Sequence, residues 1–237
     1  MSKQTFFSPR RIYDRIKLLS IELVIVLLSF FISFFGMVYI IRRIFTHKKT
    51  ELDDNAFRFM ETLVSDSMTS VMNFFTFFGG QYFLVPVNIL LIIWAFFIKR
   101  DKWFGIRVAS IAFSSLILMF ALKYYFQRPR PLTPLLREAR GLSFPSGHAF
   151  MSFVFFGLLI YIVNEKLKGH PLKIPLIILL LCFTVMVGLS RIYLRVHYAS
   201  DVIAGLGMGL MWLIISLWVI HIIEKNKTKL PVSPTSQ

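Results

Sequence analysis

The sequence is poor in residues that would tie a fold together covalently or through a metal. Its single cysteine, Cys182, lies inside an apolar run, so no intrachain disulfide can form and the redox compartment is not legible. No grouping of His, Cys and carboxylates has the spacing of a metal site, and no Gly-rich nucleotide loop is present, so no cofactor is expected. Acidic residues are scarce. The 12 Asp and Glu stand against 27 Lys and Arg, a formal net charge of +15. Such an excess raises nucleic acid as a partner, but the charges sit in short segments between long apolar runs, which argues against it.

What the chain has instead is apolar length. Hydrophobic residues make up 56% of it, 26 of them Phe, and the mean hydropathy is +0.68. That excludes an ordinary soluble domain and points to a bilayer protein. Six runs qualify as spans, at 18–41, 74–98, 103–122, 150–163, 174–189 and 202–223. The fourth and fifth need helical flanks to reach the roughly 20 residues that cross a membrane. The first has no small-residue cleavage site after it and reads as a retained anchor.

Basic residues recur at every second connection. They are Arg10, Arg11, Arg15 and Lys17; Lys99, Arg100 and Lys102; Lys166, Lys168 and Lys173; and Lys225, Lys227 and Lys229. This positive-inside pattern predicts an all-α, six-transmembrane-helix bundle with both termini cytoplasmic, in the cytoplasmic membrane. One domain is expected over 1–225, followed by a disordered tail at 226–237. Between the first two spans, Ala56, Phe57, Phe59, Met60, Leu63 and Val64 fall near helical spacing, which predicts an interfacial helix at about 52–70. The other two outer segments, 123–149 and 190–201, are basic on the side where the rule expects few cations. An anionic ligand is the simplest reason.

Those two segments carry three short motifs. "KYYFQRPRP" places Lys123 at the end of the third span, with Arg128 and Arg130 just beyond. "GLSFPSGHAF" interrupts two greasy stretches with Pro145, Ser146, Gly147 and His148. By itself that run reads as a loop and a helix cap. "SRIYLRVHYASD" sets His197 and Asp201 four apart, one turn from each other on a helix. An Asp there can accept from one imidazole nitrogen, fix the tautomer and leave the other nitrogen facing a cavity.

Together the three pieces resemble the type 2 phosphatidic acid phosphatase (PAP2) superfamily. Its pattern is Lys-x6-Arg-Pro, Pro-Ser-Gly-His and Ser-Arg-x5-His-x3-Asp. Here it is filled by Lys123 with Arg130-Pro131, by Pro145 to His148, and by Ser190-Arg191 with His197 and Asp201. The resemblance implies a metal-independent membrane enzyme acting on a lipid phosphate, with a catalytic region at 123–201. It implies His197 as nucleophile, His148 as acid and base, and Asp201 as the orienting partner.

The residue types support the same chemistry on their own. Lys123, Arg130 and Arg191 can make charge-assisted bonds to phosphate oxygens. Ser146 and Gly147 add a hydroxyl and backbone N–H groups at a helix start, a ready anion site. His197 can attack phosphorus, while His148 can protonate the leaving oxygen and then activate water.

The substrate stays open. A glycerolipid monoester such as phosphatidylglycerophosphate or phosphatidic acid comes first, and an isoprenoid diphosphate such as undecaprenyl diphosphate stands close behind. Arg128, Arg137 and Arg140 are candidates for a second phosphate or for headgroups. A lipid phosphate-group transferase would use the same phosphohistidine, and a non-enzymatic anion or lipid transporter is more remote. Expected partners are the lipid substrate and membrane lipids. Gly205 and Gly209 make a small-xxx-small pattern expected to let helices pack closely.

Overall fold

The structure is a computed structural model that describes residues 9–135 and 141–227. These residues form helices and no strands. In order they are α1 (Pro9–Ile41), α2 (Glu51–Glu61), α3 (Asp66–Phe78), α4 (Gln81–Ile93), α5 (Lys102–Phe126), α6 (Gly147–Lys166), α7 (Lys173–Tyr193) and α8 (Ala199–Lys227). α1 and α4 each run on into a π-helical turn, Arg42–Thr46 and Trp94–Ile98.

Six stretches are long and apolar enough to cross a membrane: Leu23–Thr46, Asp66–Ile98, Lys102–Phe126, Gly147–Lys166, Lys173–Tyr193 and Ala199–Lys225. The two short apolar runs gain the expected flanks. Phe35, Phe97, Phe113 and Tyr124 each expose more than half of their surface, which lipid can cover and water would not favour.

The interfacial helix is shorter than its apolar spacing predicts. α2 ends at Glu61, and Ser65 starts a new helix by accepting the Met68 N–H at 3.3 Å. The Tyr193 hydroxyl, 2.9 Å from Thr69 Oγ1, holds that start against α7. The second span therefore begins at Asp66, ahead of its first run of Phe. It is also broken, at Gly79–Gly80 between α3 and α4. A Cβ on Gly79 would lie 2.3 Å from Val187 Cγ1 and 3.3 Å from His148, so no larger residue fits as the chains stand.

α6 lies at the centre. Phe150, Val154 and Leu158 pack on one side with residues of α5 and α8, and Phe155 and Phe156 pack on another with Leu84 and Val187. Lipid tails are as apolar as these side chains, so close packing rather than water exclusion holds such helices together. The glycines of α8 supply that closeness. A Cβ on Gly205 would meet the Ser146 carbonyl oxygen at 2.8 Å, and one on Gly209 would meet Phe153 Cβ at 2.9 Å.

Gly205→Ala is thus expected to cost about 1–3 kcal/mol by overpacking. Gly207→Ala, whose nearest neighbour would be Ser33 Cβ at 3.8 Å, should be tolerated. Thermal unfolding in detergent reads the difference, and equal midpoints for the two variants would discard the close-contact explanation.

Candidate active site

The motif residues come from four helix ends. Lys123 is in the last turn of α5, Gly147 and His148 open α6, Arg191 is in the last turn of α7, and Asp201 is in the first turn of α8. Antiparallel connection of α5 to α6 and of α7 to α8 puts all four ends at one end of the bundle. Arg130 and His197 lie in the connections.

Several backbone bonds fix how these ends meet. The Ser146 N–H donates to the Asp201 carbonyl at 3.0 Å, and the Ser143 N–H to the Arg128 carbonyl at 2.8 Å. Ser146 is fully buried, and its hydroxyl caps α6 through the Ala149 N–H at 3.5 Å. Sequence reading offers Ser146 to an anion. In the fold its amide is engaged by Asp201, and its hydroxyl serves the helix. The amides of Gly147 and His148 have no protein acceptor among the described residues, so the anion-facing donors of the helix start fall there. The stem of Lys123 runs past this start, with its Cε 3.7 Å from where a Gly147 Cβ would stand.

The three motif cations bond to neutral groups only. Lys123 Nζ donates to the Leu142 carbonyl at 2.6 Å. Arg130 donates to the carbonyls of Gly141 at 3.1 Å and Val196 at 2.9 Å. Arg191 is buried, donates to Thr76 Oγ1, and leaves its Nε without a partner. None forms an ion pair with a carboxylate among the described residues, yet all three lie within electrostatic range of His148. Burial pulls the Arg130 guanidinium below its ordinary value, with Asp201 working the other way. A cluster of cations partly withdrawn from water without paired counter-charge suits an anion.

His197 is almost completely buried, with Nδ1 3.7 Å from Asp201 Oδ2. The direct bond that the i, i+4 spacing predicts is replaced by a bridged one. Ser143 donates to Asp201 Oδ2 at 2.5 Å and lies 3.4 Å from His197 Nδ1. The Tyr198 N–H donates to the same oxygen at 3.0 Å. Burial pushes the His197 imidazole down to about 4, against the attraction of Asp201 and with help from the charges of Arg130 and Arg191. The ring is therefore neutral at neutral pH, with a lone pair available. His148 packs beside the Gly79–Gly80 break, its Nε2 3.5 Å from where a Gly80 Cβ would stand, and its ring makes no hydrogen bond to a described residue.

Arg128 is placed differently from its reading as a headgroup or second-phosphate ligand. Its guanidinium is buried over the Tyr198 ring, 2.5 Å from Asp201 Oδ1, 2.8 Å from Asp53 Oδ2 and 2.8 Å from Ser200 Oγ. Two carboxylates take its charge, and none is left for a ligand. Arg137 and Arg140 lie outside the described residues.

Asp53, Thr76, Ser143 and Ser200 were missed by motif reading. Asp53 had a signal, since it sits three, four and seven residues before Ala56, Phe57 and Met60, on the apolar face of α2. Thr76, Ser143 and Ser200 had none, because short polar residues near helix ends and turns are ordinary.

The class is that of a polytopic helical membrane protein with a cationic, histidine-bearing site at one end of its bundle. Comparison with known proteins narrows it. The PAP2 superfamily profile matches residues 104–225. Phosphatidylglycerophosphatase B of Bacillus subtilis (strain 168) is 31% identical over 148 residues, which cover 61% of this chain and 71% of that protein. An undecaprenyl-diphosphatase of Sulfolobus acidocaldarius is 30% identical over 151 residues, covering 60% of this chain and 66% of the relative. In fold, the chain is similar to the crystal structure of a transmembrane PAP2 type phosphatidylglycerolphosphate phosphatase from Bacillus subtilis. The TM-score is 0.70 at 22% identity, over 86% of this chain and 97% of that one. The chain belongs to the PAP2 superfamily.

Proposed function

We propose that this protein hydrolyses a lipid phosphate through a phosphohistidine intermediate. The observation that carries the reading is the set of buried Arg191 and half-buried Lys123 and Arg130 beside two histidines, with no carboxylate paired to any of the three among the described residues. A phosphate supplies the missing negative charge, and the Gly147 and His148 amides add donors. His197 attacks phosphorus with Nε2 while Asp201, through Ser143, supports the charge that develops at Nδ1. His148 gives a proton to the leaving lipid oxygen. It then takes one from the water that cleaves the phosphorus–nitrogen bond, which returns His197 and releases phosphate. Three protein cations neutralise the phosphoryl oxygens in this scheme, so no metal step is needed.

A monoester such as phosphatidylglycerophosphate or phosphatidic acid is the first choice of substrate, in keeping with the Bacillus relative's name. The engagement of Arg128 by Asp53 and Asp201 supports the monoester, because it withdraws one cation that a second phosphate would use. Phosphate release from a panel of purified lipid mono- and diphosphates in detergent, with and without excess chelator, tests the reading. Release from none of them, or strict dependence on added Mg²⁺, would overturn it.

The catalytic end is assigned to the exoplasmic face, and both termini to the cytoplasm, because Lys99, Arg100, Lys102, Lys166, Lys168 and Lys173 gather at the opposite end. Cysteines placed in 132–144 should label from outside intact cells, while those in 99–102 and 166–171 stay protected. The reverse pattern would turn the molecule over.

A further inference from the structure

We infer that Asp53, on the interfacial helix α2, is a positioning residue for His197, acting through Arg128 and Ser200 on Asp201. The inference rests on the phosphohistidine reading above. Asp53 is the one carboxylate besides Asp201 that is fully buried among the described residues, and it belongs to none of the three motifs. Its Oδ1 accepts the Ser200 N–H at 2.8 Å, and its Oδ2 accepts both the Ser200 hydroxyl and Arg128, each at 2.8 Å. Arg128 completes the path by donating to Asp201 Oδ1 at 2.5 Å. A carboxylate from a helix remote in sequence thus caps the first turn of α8, one residue before Asp201.

The arrangement divides one guanidinium between two carboxylates. If Arg128 faced Asp201 alone, its charge would be balanced wholly by the group that must support His197. Asp53 takes one arm of the guanidinium, so Asp201 keeps negative character on Oδ2, the oxygen that faces Ser143 and His197 Nδ1. That oxygen must stabilise the positive charge that His197 gains when its other nitrogen bonds to phosphorus. Asp53 touches neither the histidine nor the phosphate site. Its effect belongs to the phosphoryl-transfer step, and substrate binding is left to Lys123, Arg130 and Arg191.

The test uses the full-length protein in detergent with Asp53→Asn, Asp201→Asn, the double variant, and Asp54→Asn as control. Asp54 is the exposed neighbour, bonded only to Thr50 among the described residues. Asp53→Asn should lower kcat roughly 10- to 100-fold, in the range seen for outer-shell partners, and leave KM within about twofold. Added to Asp201→Asn, it should cost little further. A second readout needs no substrate: the ¹³Cε1 resonance of His197 in histidine-labelled protein, assigned by its loss in His197→Gln. Asp53→Asn should move it in the same direction as Asp201→Asn, and Asp54→Asn should not move it. Unchanged kcat, losses that simply multiply in the double variant, or an unmoved His197 resonance would each overturn the inference. If wild-type protein releases phosphate from no lipid, the functional reading fails while the resonance still decides the role of Asp53.

Discussion

His197→Ala is expected to abolish turnover and phosphoenzyme together, a loss of about 10⁴-fold or more. His148→Ala should be nearly inactive as well. With a good leaving group it should accumulate phosphoenzyme, because the first bond then breaks without a proton donor while water still lacks its base. Acid quench with labelled substrate separates the two variants, and phosphoenzyme in His197→Ala would falsify the nucleophile. The pH dependence has a definite sign. Burial holds the His197 imidazole at about 4, so the acid limb of kcat/KM that this group sets should lie well below that of a free imidazole at about 6.5. Folding is linked to the same proton. The unfolded chain takes it up near 6.5 and the folded one near 4, so stability from this group is complete above about 6.5 and lost as pH falls toward 4.

A long-chain lipid phosphate is expected to exceed a water-soluble phosphate ester of equal leaving group by about 10³-fold in kcat/KM. On the proposed reading the catalytic groups stand at the end of the bundle where α5 and α7 finish and α6 and α8 begin, so a lipid can bring its phosphate in sideways while its chain lies along the spans. Each CH₂ withdrawn from water contributes about 0.8 kcal/mol toward concentrating the substrate in the micelle or bilayer that holds the enzyme, and about five of them give the thousandfold. Steady-state kinetics on a series of one headgroup with lengthening chains reads this directly. Equal rates for the soluble ester and the long-chain lipid would sink lateral entry.

Helix identity and span count were legible because apolar length is a strong signal that only the bilayer requires. The three motifs were legible because the spacing Lys123 to Arg130 and His197 to Asp201 survives any fold. Ser143 between His197 and Asp201 was not, since a bridge depends on where the 141–146 turn lies against α8. The sharing of Arg128 was hidden for a related reason. Its sequence neighbours Arg130 and Lys123 suggest an anion site, and only the docking of α2 brings Asp53 within reach. The break at Gly79–Gly80 reads in sequence as part of one continuous apolar run. The proximity of Val187 and His148 requires a glycine there, which no local pattern records.

The Ser146–Asp201 backbone bond and the seating of Gly205 on the Ser146 carbonyl mean that the distance between His148 and His197 is counted along two helices. The connection between Arg130 and Gly141 does not enter that count. Its two ends are already tied, Gly141 to Arg130 and Ser143 to Arg128. Each doubling of such a closed segment costs only about 0.6 kcal/mol. On the proposed function, descendants of this chain can therefore lengthen, shorten or recharge that stretch, Arg137 and Arg140 included, without altering that distance.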